Sequence, residues 1–129
     1  MRPGATTTVH AVDFRPRRAH EATQAAEGRV PRVARLLALA HRIDGMIRAG
    51  EIEDLATAAS LCGVTRARMT QVMNLLLLAP QIQEAILDLQ PVTNGRDRVT
   101  ERQLREIVAE PVWNDQMDRW RAICSHGGC

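Results

Sequence analysis

The sequence predicts an all-α protein, a helix-turn-helix held within a small bundle of about five or six helices. Three observations carry that expectation. Apolar residues make up 45% of the 129-residue chain and aromatic residues 2%, so Leu, Ile, Val, Ala and Met must build the core, a mixture that favours helices over sheets. Apolar positions recur at three- and four-residue spacing through most of the chain after residue 30, the period of a helix with one buried face. Glycines and prolines fall between these segments rather than within most of them, as helix punctuation.

The elements follow in order. Residues 1–28 have no sustained periodicity, and Arg15, Arg17 and Arg18 surround Pro16, so this stretch reads as a mobile basic arm. Pro31 opens a long helix in which Val33, Leu36, Leu37, Ala40, Ile43 and Ile47 share a face until Gly50 ends it. Arg32, Arg35, Arg42 and Arg48 occupy its solvated side. Glu53 or Asp54 caps a short second helix through Ala59, and Gly63 breaks the pattern. Thr65 is placed as N-cap of a third helix over residues 66–78, which Ala79 and Pro80 stop.

A fourth helix over 81–89 turns Ile82, Ile86 and Leu89 to one side, and residues 91–95 form a loop with a turn at Asn94 and Gly95. Thr100 and Gln103 match a capping box that starts a fifth helix through Leu104, Ile107 and Val108. After Pro111, Trp113, Met117 and Trp120 define the packing face of a last short helix. The expected organisation is an arm over 1–28, a helical domain over 29–123 and a tail over 124–129.

A net charge of +2 is too small to mark a nucleic-acid binder by itself. All 17 basic residues are Arg, whose planar fork suits phosphates and guanine edges, although a G+C-rich gene produces the same bias. The N-terminus lacks a signal-type apolar run, eighteen consecutive apolar residues occur nowhere, and three cysteines make no disulfide framework. A cytoplasmic location without membrane association is expected.

The segment with functional content is 55–74. A helix-turn-helix needs a small residue where its two helices meet and a glycine in the turn; Ala59 and Gly63 stand four residues apart. Met69 and Val72 return as buried residues of the second helix, and Leu55, Ala58, Val64 and Leu76 complete an apolar wedge. Removing those positions leaves Thr65, Arg66, Ala67, Thr70, Gln71 and Asn74 exposed, with Arg68 near the rim. In a major groove Arg pairs with guanine, Gln or Asn with adenine, and the Ala67 or Thr70 methyl with thymine.

The stretch 54–86, DLATAASLCGVTRARMTQVMNLLLLAPQIQEAI, resembles the DNA-binding segment of ParB/KorB-type partition proteins. The matching features are a Gly, a Thr-Arg pair opening the recognition helix, a leucine run, and an Ala-Pro followed by a short helix. The resemblance implies a helical domain reading a short, often palindromic site, with Thr65, Arg66 and Arg68 at the positions that open the recognition helix. The first thirty residues hold no counterpart of that family's nucleotide-binding motif, so no cofactor and no nucleotide-driven clamp are expected. The segment is also similar to small helix-turn-helix proteins encoded beside phage or transposon recombinases, which implies a role on a mobile element.

Cys124, His126 and Cys129 offer three zinc-type ligands without a fourth or the usual paired spacing, so no metal site is assigned. Cys62 reads as a small buried residue of the motif. No nucleophile, base and orienting group converge and no Gly-rich phosphate loop occurs, so an enzyme and a small-molecule substrate are not expected. The expected function is sequence-specific binding of double-stranded DNA by a regulator or accessory factor, with the C-terminal helices as the candidate homodimer surface. The alternative is a helical protein-protein interaction module.

Overall fold

The computed structural model describes residues 28–128. It is all-α, with α1 Arg32–Arg48, α2 Leu55–Cys62, α3 Arg66–Met73, α4 Pro80–Leu87, α5 Glu101–Val108 and α6 Trp113–Ile123. A 3-10 turn, Asn74–Leu77, follows α3 and a π-turn, Cys124–Gly128, follows α6. Among the described residues the only β pairing is one isolated antiparallel bridge between Arg29 and Val92. No helix of this region is long and apolar enough to cross a membrane.

The 17-residue α1 is the spine. Its N-terminal half places Val33, Ala34 and Leu37 in a core with Leu75, Leu78, Ile82, Ile86, Val99, Leu104, Ile107 and Trp120. Its C-terminal half gives Ile43 to a second cluster with Ile52, Ala58, Ala59 and Met69. Each fully buried aliphatic side chain contributes about 1.5–3 kcal/mol, so α1 joins a supporting bundle of α4, α5 and α6 to the α2–α3 pair. The helix-turn-helix is therefore mounted on the C-terminal half of α1.

Local chemistry sets most boundaries. Asp54, rather than Glu53, caps α2 by accepting the Thr57 N–H at 2.8 Å, and α2 runs on to Cys62, past the expected end at Ala59. Thr65 caps α3 by accepting the Arg68 N–H at 3.0 Å. The capping box at Thr100 and Gln103 is fully formed. Pro80 is the first residue of α4, where its missing N–H is harmless.

Several expectations need correction. The third helix does not stay α-helical to residue 78. At Asn74 it tightens into the 3-10 turn, where Leu75 and Leu78, three apart, both enter the core. The free carbonyls of that tightened run are met from afar. Gln83 Nε2 donates to Leu76 O at 3.2 Å and Leu78 O at 2.9 Å, and Gln116 Nε2 donates to Leu77 O at 3.3 Å.

Val64 is 39% exposed rather than part of the wedge, and Trp113 is 54% exposed while Trp120 is buried. Trp113 lies in the first turn of α6, and the buried residue one turn before Trp120 is Gln116. The chain also stays helical past residue 123, in the π-turn.

Residues 1–27 of the expected arm, and Cys129 of the expected tail, lie outside the described residues. Gly28 belongs to the folded unit. It is buried at φ +96°, and a Cβ there would come within 3.0 Å of Pro91 Cβ and Thr93 Cγ2. That close approach lets Arg29 N–H donate to Val92 O at 2.8 Å and Val92 N–H to Arg29 O at 2.7 Å.

Candidate nucleic-acid interface

The turn between α2 and α3 is three residues, Gly63, Val64 and Thr65. Gly63 sits at φ +69°, ψ +30°, the left-handed region that glycine enters without the steric cost of a Cβ. Its N–H donates to Ser60 O at 3.2 Å and the Val64 N–H to Ala59 O at 3.0 Å, which closes α2 and redirects the chain into α3. Ala58 and Ala59 on α2 and Met69 and Val72 on α3 are buried. The small alanines allow the two short helices to approach closely.

Thr65, Arg66, Ala67, Thr70, Gln71 and Asn74 are all exposed. The Arg66 guanidinium has no hydrogen-bond or ion-pair partner among the described residues. The Asp54 carboxyl is held below its ordinary range first by the Thr57 backbone N–H, then by the Thr57 side chain, with the Arg66 charge a smaller contribution. Thr70 Oγ1 donates to Arg66 O at 3.1 Å, which ties the hydroxyl to the preceding turn of the helix. Asn74 ends α3 at the 3-10 turn, so it is the last exposed polar residue of this face before the leucine run.

Arg68 differs from the rest. Its guanidinium makes a two-pronged ion pair with Glu101 at the start of α5, with Nη1 on Oε2 and Nη2 2.9 Å from Oε1. Nη1 also donates to Gln71 Oε1 at 3.2 Å. The side chains are 27% and 13% exposed, and the hydrogen bonds from Arg68 pull the Glu101 carboxyl below the usual carboxylate range against the opposing effect of burial. Arg105 and Arg32 approach the same carboxylate at 3.6 and 3.9 Å. One half-buried carboxylate thus stands among three guanidinium groups, and the cluster keeps a net positive charge beside α3.

Arg68 therefore ties α3 to the supporting bundle and orients Gln71. Sequence reasoning placed Arg68 near the rim of the exposed set, counted it among the DNA contacts and gave Glu101 no part. The only trace of Glu101 in the sequence is its place just after the cap residue Thr100, between arginines 98 and 102.

Cys62 is half-buried and its thiol is pushed up by burial, in keeping with a packing role. Among the described residues no group of three or more His, Cys, Asp and Glu side chains is arranged to hold a metal ion. His126 is turned to its own helix, with Nδ1 2.7 Å from Ala122 O. Comparison with known protein families, curated proteins and solved structures finds no match to this chain, so what α3 does must be read from its own chemistry.

Proposed function

We propose that the protein binds double-stranded DNA sequence-specifically, inserting α3 into the major groove. The observation that carries this reading is the outer face of α3. Thr65, Arg66, Thr70, Gln71 and Asn74 are exposed together on a short helix, which a left-handed glycine turn and the Arg68–Glu101 pair fix from behind. Arg66 is the guanine reader, Gln71 and Asn74 suit adenine, and the Ala67 and Thr70 methyl groups suit thymine. The positive cluster of Arg32, Arg68 and Arg105 beside α3 favours the phosphate backbone. The likeness to partition-protein DNA-binding segments agrees with a regulator or accessory factor, including one that serves a mobile element.

The test is fluorescence anisotropy of the full chain on duplexes selected from a random pool. Affinity that falls steeply with salt, and that exceeds the affinity for unselected duplex by about a thousandfold or more at physiological salt, is the expected result. Equal binding to selected and random duplex at low and at physiological salt refutes sequence reading by α3.

A second reading, docking of a protein partner, has its own observation. Leu77, Val112 and Trp113 are each more than half exposed, and Gln116 draws Leu77 and Glu110 together by donating to both carbonyls. If this surface carries self-association, Trp113→Ser moves the full chain from dimer to monomer in light scattering. Truncation after Pro111 cannot test it, because Trp120 and Gln116 belong to the core.

A further inference from the structure

The segment from Leu89 to Val99 is a surface loop whose two ends pack on the main core, Val99 fully and Leu89 partly. Loops of this length usually fill their interior with their own side chains. This one encloses a hollow of about 260 Å³, against about 30 Å³ for one water. Pro31, Leu89, Pro91, Val92 and Val99 supply apolar wall, and Arg96 and Arg98 stand at its edge.

The charges around the hollow are uneven. Asp97, between the two arginines, is spent elsewhere: it pairs with Arg29, and its Oδ2 accepts the Arg32 N–H at the start of α1 at 2.8 Å. No carboxylate lines the hollow, and neither Arg96 nor Arg98 has an ion-pair partner among the described residues. The same two arginines, with Asp97 between them, also border a wider trough of about 590 Å³ against Ile123 and His126. Arg96 and Arg98 are the only residues the two hollows share, and of the two it is the hollow within the loop that they border without a carboxylate.

We infer that the hollow within this loop binds a small organic anion, an apolar body of about one ring carrying a carboxylate or a phosphate. The ring takes the wall formed by Pro31, Leu89, Pro91, Val92 and Val99, and Arg96 and Arg98 take the charge through fork-shaped, charge-assisted hydrogen bonds. The ligand is bound, not chemically changed. Its occupancy bridges the loop to the start of α1 through Pro31, and its two arginines stand five and three residues before Glu101, the residue that positions α3.

The experiment is isothermal titration calorimetry of the full chain with phenyl phosphate, in the absence of DNA, so that its outcome is separate from the reading of α3. Saturable binding with a Kd of about 1 mM or tighter is expected, in line with the efficiency of small ligands. Inorganic phosphate should bind at least about tenfold more weakly, because it cannot use the apolar wall. The R96A/R98A variant, which removes exposed side chains without partners, should keep its helical circular dichroism and lose at least about tenfold in affinity. N94W, which retains both arginines and places a ring at the hollow, should lose as much. Absence of saturation by about 10 mM phenyl phosphate, equal affinity for inorganic phosphate, or unchanged affinity in R96A/R98A overturns the inference.

Discussion

Arg68 and Glu101, 33 residues apart, meet in a two-pronged ion pair that joins the first turn of α3 to the first residue of α5. A paired, largely covered guanidinium of this kind contributes more than an exposed surface pair, because both ends are held and partly dehydrated. Arg68→Ala and Glu101→Ala should each lower stability by about 1–2 kcal/mol, and the double variant should lose clearly less than the sum. Urea denaturation of the four proteins checks this. Additive losses would mean that the pair contributes nothing as a pair.

The same pair sets an acid-side pH dependence. The Glu101 carboxyl in the folded protein lies below its ordinary value of 4.5, chiefly through hydrogen bonds from Arg68. Its contribution is therefore fully present above about pH 4.5 and is lost as pH falls through the lowered folded value. Thermal melting of the wild type between pH 6 and pH 3 should show a decline below about pH 4.5 that is shallower in Glu101→Gln. Parallel curves for the two proteins would assign the acid transition to other carboxylates.

Arg66 and Arg35 are both exposed, so removing either deletes the same charge while testing different surfaces. On a selected duplex Arg66→Ala should cost about 1–3 kcal/mol and relax preference at one position of the site. Arg35→Ala should change affinity little, or lower it equally for all sequences and reduce the salt slope by about one unit. Titrations at several salt concentrations distinguish the outcomes; indistinguishable behaviour of the two variants would remove the base-reading role of Arg66.

Gln116 is 2% exposed and uses both ends of its amide. Oε1 accepts the Ala79 N–H at 2.7 Å, and Nε2 donates to Leu77 O and to Glu110 O at 3.3 and 3.0 Å. Gln116→Leu keeps most of the volume but leaves the buried Ala79 N–H without its acceptor, so a loss of about 1–3 kcal/mol is expected. Hydrogen exchange at the Ala79 amide should speed up in step. Unchanged stability and exchange would show that water replaces the amide.

The sequence by itself determined the helical class, the six helices and the helix-turn-helix framework, because these rest on short-range chemistry. Asp54, Thr65 and Thr100 cap helices through groups three residues away, Gly63 makes its turn through its own φ, and the periodicity of Val33, Leu37 and Ala40 marks the buried face. The exposed set on α3 was legible for the same reason, since burial of Met69 and Val72 fixes what remains outside.

Other features were decided only by tertiary structure. Pro31 has no side-chain cap of its own, and Asp97 caps α1 from 65 residues away. Glu101 converts Arg68 from a free cation into a strut, Gln83 and Gln116 satisfy the carbonyls of the leucine run, and Gly28 is held by a loop more than sixty residues on. Each depends on two chain segments arriving at hydrogen-bond distance. No local pattern encodes that arrival, because it follows from how α5, α6 and the loop before α5 pack against α1 and the leucine run, and a side-chain fork or amide has direction only once its partner is in place.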